Sequence, residues 1–220
     1  MSDLPPDGAP DRAPLSPERI ELAALALIER EGLAGFSIRK LAAALGCKAM
    51  SIYHYFPSKG HLLDALVDHA VADLLPLPPA DLGWRARLRQ AALDWRRMVL
   101  RRPGLFLFLA THRMNTPLAL RWLDDLLTLV RGGCVSEEEA ARLFRAIGYY
   151  LAGAGLDETA GYARGPSTVT PVPPETMARD YPNVTAAARW FAPDEREATF
   201  LRGLDALLDG WAARRPDATQ

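Results

Sequence analysis

The chain has 220 residues, 49% of them apolar, with 26 basic and 27 acidic side chains and a net charge of -1. This size and apolar content suffice for one large hydrophobic core or two small ones. No apolar run reaches membrane-spanning length and the N-terminus lacks a secretory signal, so we expect a cytoplasmic protein. Cys47 and Cys134 lack any zinc-binding spacing, which predicts free thiols and no metal site.

The N-terminal segment divides into a tail and a first helix. Met1 to Pro14 is rich in proline and aspartate and has almost nothing to bury, so we expect it to be disordered. Ser16 and Pro17 then predict a helix start, because serine caps helix N-termini and proline is favoured in the first turn. The inward stripe of this helix is Ile20, Ala24, Leu27 and Ile28, and Gly32 is predicted to end it.

Residues 37–59, SIRKLAAALGCKAMSIYHYFPSK, have the pattern of two short helices joined by a turn. Ser37 is a good N-cap for the first helix, and Gly46 can end it in the left-handed conformation. Ile52 and Phe56, four residues apart, supply the apolar face of the second helix. Two helices joined by so short a turn cross steeply instead of packing antiparallel, which predicts a helix-turn-helix.

Cations accumulate at this pair of helices. Arg39 and Lys40 lie in the first turn of the first helix and Lys48 lies near the start of the second, where the helix dipole disfavours cations by roughly 0.3–1 kcal/mol each. A phosphate backbone would reverse these penalties. From Arg12 to Lys59 the chain holds seven cations and four acids, a local surplus of three. The second helix adds groups suited to base edges and phosphates: Ser51, Tyr53, His54 and Tyr55.

These side chains also have an interpretation that involves no DNA. Tyr53 and Tyr55 would then be half-buried core residues, and the cations would form a solvated face. A single cation favours that interpretation, whereas the combination of helix pattern, cations and aromatic groups favours a DNA-binding surface.

From Leu15 to about Leu75 the chain resembles the DNA-binding half of the tetracycline-repressor (TetR) family. The resemblance lies in the order R-K-L-A, L-G, S-I-Y-H-Y-F, S-K and L-L-D-A-L. It implies an N-terminal helix-turn-helix domain, and it departs from the family at Lys48, often Ser or Thr in relatives, and at Met50, often Gly or Pro. The residues expected at the DNA are Ser37, Arg39, Lys48, Ala49, Met50, Ser51, Tyr53, His54, Tyr55 and Lys59.

A connecting helix is predicted next. Ser58 can cap a helix from Lys59 to about Leu75, and the prolines from Pro76 to Pro79 prevent its continuation. We therefore expect a tail at residues 1–14, a DNA-binding domain at residues 15–62 and a ligand-binding and dimerisation domain at residues 63–220.

The remaining sequence predicts further helices and no strand, and hence an all-α protein. A capping box at Ser136 to Glu139 makes one start especially clear. Residues Gly161 to Pro182 lack periodicity and are predicted to form a long loop. The predicted helices are Trp84 to Arg102, Gly104 to Arg113, Pro117 to Arg131, Ser136 to about Tyr162, Asn183 to Phe191 and Asp194 to Arg214.

Two of these helices are apolar or small on more than one face. In the helix Ser136 to Tyr162, a stripe of Leu143, Ile147, Leu151 and Ala154 runs beside Gly148 and Gly155. In the helix Asp194 to Arg214, a large-residue stripe runs beside Gly203, Ala206 and Gly210. Either both helices are central to one subunit or they meet a second copy. The segment GLDALLDGWAARR is similar to the final helix of the TetR C-terminal domain, which implies a homodimer through these two helices.

Aromatic and thioether side chains are concentrated in the middle helices, where they are typical either of core or of an apolar ligand pocket. The family resemblance favours a pocket. At the approximate positions of the polar and metal-chelating drug contacts of the tetracycline repressor, this chain has Ala91, Phe108 and Leu126, so magnesium-bound tetracycline is not the expected effector. The predicted ligand-binding residues are Trp95, Met98, Phe108, Thr111, His112 and Trp122.

An enzyme is the alternative from another functional class. His54, His61, His69 and His112 have acidic neighbours in sequence, but no hydrolase, metalloprotease or phosphate-binding motif accompanies them. We therefore predict no catalytic residue and no cofactor. The predicted function is a homodimeric transcriptional regulator, a repressor released from an inverted-repeat operator by a small apolar or aromatic ligand. A DNA-binding dimer without any effector remains the alternative.

Overall fold

The computed structural model describes residues 14–134, 136–159 and 169–212. Within these ranges the chain is all-helical and has no strand, as the sequence predicts. The helices are α1 (Pro17–Gly35), α2 (Ile38–Leu45), α3 (Ala49–Tyr53), α4 (Lys59–Ala72), α5 (Trp84–Arg101), α6 (Pro103–Thr111), α7 (Pro117–Arg131), α8 (Glu137–Thr159), α9 (Pro174–Asp180), α10 (Pro182–Ala187) and α11 (Arg196–Ala212).

Local capping signals set the starts of the N-terminal helices. Ser16, Ser37 and Ser58 each accept a hydrogen bond from the backbone N–H three residues ahead, so α1, α2 and α4 begin where the sequence predicts. Gly32 (φ 69°) interrupts the helical geometry of α1 near its end, and Gly46 (φ 67°) ends α2 in the left-handed region. The short α3 follows with Ile52 fully buried, which completes the predicted helix-turn-helix.

One hydrophobic core extends from these N-terminal helices into the rest of the molecule. It includes Ile20, Leu41 and Ile52 of the helix-turn-helix region together with Met98 and Phe108 of α5 and α6. The predicted division at residue 63 therefore falls within α4 and within a continuous core. The first helices are not packed as a separate body.

Helix α1 is held against α6 and α4 by polar contacts as well. The Glu29 carboxylate accepts hydrogen bonds of 2.8 Å from the backbone N–H groups of both Gly104 and Leu105, in the first turn of α6. A negative charge there satisfies free N–H groups and complements the helix dipole. Glu21 of α1 lies 3.8 Å from His69 of α4, and partial burial raises the pKa of the Glu21 carboxyl.

Helix α4 is also paired with the segment between α6 and α7. The Asp64 carboxylate lies 3.2 Å from Nε2 of His112, and Asp68 accepts a hydrogen bond from the Thr116 hydroxyl. Because Asp64 and Asp68 are one helical turn apart, they lie on one face of α4. That face is joined to the second half of the molecule.

A second hydrophobic cluster lies among α5, α7, α8 and α11. It is accompanied by an ion pair in which Arg96 of α5 donates two hydrogen bonds of 2.8 Å to Glu158 of α8. Arg96 donates a third, also 2.8 Å, to Glu197 of α11. The Arg96 and Glu158 side chains are only 10% and 7% exposed, so this pair joins α5 and α8 inside the protein, while the exposed Glu197 adds α11 at the surface.

The predicted loop at Gly161 to Pro182 is wrong in its second part, because α9 occupies Pro174–Asp180. Proline is favoured in the first turn of a helix, and Glu175 and Arg179 complement the dipole at the two ends. The proline-rich composition was therefore a start signal for α9. The loop's first part, residues 161–168, lies outside the described residues.

Several other predicted boundaries need small corrections. Helix α4 ends at Ala72 and not near Leu75, and α6 ends at Thr111 and not at Arg113. Helix α11 begins at Arg196, because Pro193–Glu195 form a short 3-10 turn. The predicted ends at Tyr162 and Arg214, and nearly all of the predicted tail, lie outside the described residues.

Candidate nucleic-acid interface and internal cavity

The ten residues predicted at the DNA all lie at or near the surface of the helix-turn-helix region. Seven are exposed and three are partly buried, and none belongs to the core. Met50, at 67% exposure, protrudes furthest among the large apolar residues of this region. The exposed members are Arg39, Lys48, Met50, Tyr53, His54, Tyr55 and Lys59, and the partly buried ones are Ser37, Ala49 and Ser51.

The three cations that the sequence associates with an anion differ in the structure. Lys40 already has an anionic partner within the protein, because its Nζ donates hydrogen bonds to the Glu31 carboxylate at 2.6 Å and to the Gly35 carbonyl at 2.9 Å. No hydrogen bond or ion pair engages the side chain of Arg39 or of Lys48 within the described part of the chain. Lys40 therefore stabilises the start of α2 internally, while Arg39 and Lys48 remain available for phosphates or bases.

Two other predicted DNA contacts have structural roles. Lys59 Nζ donates a 3.3 Å hydrogen bond to the Phe36 carbonyl, which joins the start of α4 to the end of α1. The Tyr55 hydroxyl donates a 2.7 Å hydrogen bond to the Leu15 carbonyl ahead of α1. Tyr53 and Tyr55 are 38% and 43% exposed, so their rings are not core residues.

A cavity of about 180 Å³ lies inside the second half of the molecule. Its wall is formed by α5 to α8 and by the residues that follow α4. The lining is almost entirely apolar, with the Asp94 carboxylate as its charged group. The lining includes Leu74, Ala91, Trp95, Trp122, Leu126 and Ile147.

Of the six residues predicted to bind a ligand, only Trp95 and Trp122 line this cavity. Met98 and Phe108 are fully buried in the continuous core instead. The Thr111 hydroxyl donates to the carbonyls of its own helix. His112 is paired with Asp64 as described above.

Sequence reasoning missed the contributions of α8 and of the residues after α4. Ile147 and Leu151 of α8 line the cavity, although their spacing of four residues was interpreted only as part of a dimerisation stripe. Leu74 and Leu77 also line it. Hydrophobic spacing identifies a buried helix face but does not identify what that face meets.

Each of the two cavity tryptophans carries a buried polar atom without a hydrogen-bond partner among the described residues. Their rings are nearly parallel, with centroids 6.3 Å apart and an interplanar angle of 21°. The indole Nε1 atoms of Trp95 and Trp122 are shielded from solvent and have no hydrogen-bond partner among the described residues. An unpaired buried donor costs about 1–3 kcal/mol. A bound molecule that places a hydrogen-bond acceptor next to these N–H groups would therefore be favourable.

The predicted dimerisation face is partly open and partly used within the chain. Among the described residues, no atom outside the local helix backbone would lie within 4 Å of a Cβ atom added at Gly148, Gly153 or Gly210, and Gly148 also lines the cavity. Gly155 packs against the Phe106 ring and Gly203 packs against Tyr150. At these two positions, contacts within the same chain leave no room for a larger side chain. An open groove, lined by α8 residues from Glu138 to Tyr149 and by Trp211 of α11, lies on the outside.

No group of three or more His, Cys, Asp or Glu side chains in the described ranges comes together to hold a metal ion. No helix there is both long and apolar enough to span a bilayer.

The exposed helix-turn-helix, joined through α4 to a helical body with an apolar cavity, defines a DNA-binding regulator. Residues 21–66 match the family model for bacterial regulatory proteins of the tetR family, and residues 75–215 match the model of the tetracyclin repressor-like C-terminal domain. The chain belongs to the TetR family of bacterial transcriptional regulators.

Individual relatives agree with this assignment. The chain is 32% identical over 208 residues to the class A tetracycline repressor from transposon 1721 of Escherichia coli, which covers 91% of this chain and 92% of that one. It is 34% identical over 155 residues to the HTH-type transcriptional repressor DrrR1 of Streptomyces coeruleorubidus, covering 68% of this chain and 57% of that repressor. The crystal structure of a possible TetR family regulator from Streptomyces coelicolor A3(2) superposes with a TM-score of 0.73 at 28% identity, covering 91% and 100% of the two chains.

Proposed function

We propose that the protein is a homodimeric repressor that binds an inverted-repeat operator and is released by a small aromatic ligand bound in the internal cavity. The observation that carries this proposal is the course of α4. This helix starts at Lys59, six residues after α3 ends at Tyr53, and Leu74 just beyond its other end lines the cavity. One helix therefore runs from just after the DNA-reading element to just before the lining of the ligand site.

The two sites can be coupled through the tilt of α4. In a two-fold dimer, two copies of α3 meet half-sites spaced near a multiple of roughly 34–36 Å, and a change of tilt changes that spacing. A ligand that prefers the other spacing releases the DNA. Coupling of about 1–3 kcal/mol corresponds to a loss of operator affinity of roughly 5–150-fold, and operator DNA must weaken ligand binding by the same factor.

The open glycines of α8 and α11 support the dimer. Glycine inside a helix costs about 1 kcal/mol relative to alanine, and no neighbour among the described residues requires Gly153 or Gly210 to be small. Tyr149, on the same outer face of α8, is 69% exposed. A second copy packed against this face would explain both the small residues and the exposed ring.

The cavity lining supports the class of effector. Its wall is almost wholly hydrocarbon, which favours an apolar ligand, and its two parallel indoles favour a planar one. The unpaired N–H groups of Trp95 and Trp122 favour a ligand with a hydrogen-bond acceptor such as a carbonyl group.

A cavity-filling substitution tests the proposal. The operator is first isolated by selecting tight-binding duplexes from random DNA, and planar carbonyl compounds are screened by tryptophan fluorescence. Ala91→Phe fills the lining of the cavity, whereas Ala86→Phe makes the same change at an exposed position of the same helix. We expect Ala91→Phe to bind operator normally and to lose ligand-induced release, and Ala86→Phe to retain both.

Three other outcomes would contradict parts of this proposal. Equal ligand affinity with and without saturating operator would exclude coupling between the two sites. Failure of every planar carbonyl compound to bind would favour the regulator without an effector. A monomer in light scattering that occupies a single half-site would exclude the dimer, which Gly153→Trp should disrupt and Ala86→Trp should not.

A further inference from the structure

The DNA-reading helix α3 carries no side chain that can make two hydrogen bonds to one base. Its residues are Ala49, Met50, Ser51, Ile52 and Tyr53. The bidentate contacts that distinguish guanine and adenine in the major groove need Arg, Lys, Asn or Gln, and α3 has none of them. Sequence discrimination by α3 is therefore limited to single hydrogen bonds and apolar contacts.

Met50 is the apolar group that α3 presents most fully to the outside. It is 67% exposed, compared with 38% for Tyr53, while Ile52 is completely buried. It lies in the first turn of α3, two residues after Lys48, which is exposed and unpaired within the described residues. In helix-turn-helix proteins the N-terminal residues of the reading helix contact base edges.

The base edges of the major groove offer a single kind of apolar group, the C5-methyl of thymine. We propose that Met50 determines specificity by packing its thioether against this methyl group in each operator half-site. The proposal rests on the operator binding proposed above. The flexible, unbranched side chain can follow the methyl without an exact backbone position, while Lys48 beside it is free to contact a phosphate.

The test replaces thymine by deoxyuridine, one position at a time, in the operator selected by the wild-type protein. This change removes only the C5-methyl. At one thymine position we expect wild-type affinity to fall by roughly fourfold in a single half-site, the value for burial of one methyl-sized group. Substituting both symmetric positions should give about 15-fold.

The decisive comparison is with Met50→Ala, which should bind the thymine and deoxyuridine operators equally at that position and keep its sensitivity elsewhere. Leu22→Ala is the matched control, because Leu22 is an exposed apolar residue of α1 outside the reading helix. It should retain the full deoxyuridine effect.

Two results would overturn the assignment to Met50. One is a wild-type protein that is insensitive to deoxyuridine at every position, and the other is a sensitivity that survives unchanged in Met50→Ala. In both cases specific operator binding persists, so they are distinguishable from failure of the proposed function, in which no duplex binds more tightly than random DNA.

Discussion

The close contact between α1 and α6 gives a sharp prediction for two glycines. In Gly104→Ala the new Cβ would lie 2.7 Å from the Glu29 Cα and 2.9 Å from the Ile28 carbonyl oxygen, where ordinary contact begins at 3.4 Å. Helix α6 would have to move away by about 0.7 Å, and overpacking of this kind costs about 1–3 kcal/mol.

That movement would also stretch the two 2.8 Å hydrogen bonds from Gly104 and Leu105 to the Glu29 carboxylate. Hydrogen bonds to a charged group contribute about 1.5–3 kcal/mol each. Partial loss of both brings the expected decrease in the free energy of unfolding to about 2–4 kcal/mol.

Gly60→Ala is the matched control, because it makes the same chemical change on the exposed first turn of α4, where the new Cβ would meet the Ser58 hydroxyl at the ordinary contact distance of 3.4 Å. It should leave the free energy of unfolding unchanged or raise it by up to about 1 kcal/mol, the helix-propensity difference. Urea unfolding at one fixed protein concentration measures both variants, since dimer stability depends on concentration.

A double variant separates the two contributions. Glu29→Gln should be destabilising, and combining it with Gly104→Ala should cost much less than the sum, because both changes weaken the same contact. If Gly104→Ala unfolds within about 0.5 kcal/mol of the wild-type protein, the α1–α6 contact is looser than described and the reasoning fails.

Three further predictions test other contacts. Lys48→Ala should reduce the salt dependence of operator binding, whereas Lys40→Ala should not, because Lys40 is already paired with Glu31. Equal slopes of log affinity against log salt concentration for the two variants would contradict this. Glu158→Ala should lower the free energy of unfolding by about 3 kcal/mol, since it leaves Arg96 buried and short of partners; a loss below 1 kcal/mol would mean that solvent reaches the pair. Burial raises the folded-state pKa of Glu21, so the stabilising contribution of this carboxyl is complete below about pH 4.5 and is lost as the pH rises. The free energy of unfolding of Glu21→Gln should therefore increase relative to that of the wild-type protein over the same rise, and a difference that does not change with pH would refute this.

Helix starts were predictable from the sequence because capping is a local signal. Ser16, Ser37 and Ser58 each precede their helix and bond to a backbone N–H three residues away. Ser136 does the same for α8 through Glu139. The helix-turn-helix follows from these signals and from the apolar spacing between them.

Contacts between distant residues were not predictable in this way. The pairing of Lys40 with Glu31 crosses the break at Gly32, and the bonds from Glu29 to α6 span more than seventy residues. Neither has a sequence signal, because the partners meet only once the helices pack. The sequence pattern that predicted cations free to contact DNA therefore included Lys40, whose charge is already paired with that of Glu31.

The cavity shows the same limit. Met98, Phe108 and Trp122 are all large apolar residues of the middle helices, yet Met98 and Phe108 are enclosed by the core whereas Trp122 also lines the cavity. A hydrophobic core and an apolar pocket are lined by the same residue types. Whether a given residue lies in core or lines a pocket depends on whether the surrounding helices leave a gap when they pack. Composition alone cannot locate such a gap.

The continuous core that runs from α1 into α6 has a consequence for engineering. Regulators of this architecture invite recombination, in which the DNA-reading part of one is fused to the sensing part of another. In this protein a junction at residue 63 would cut through packed side chains and would separate Glu29 from Gly104. A chimera that inherits α1, α4 and α6 from the same parent keeps those surfaces matched. The unit of exchange is therefore a set of three helices that are separated in sequence.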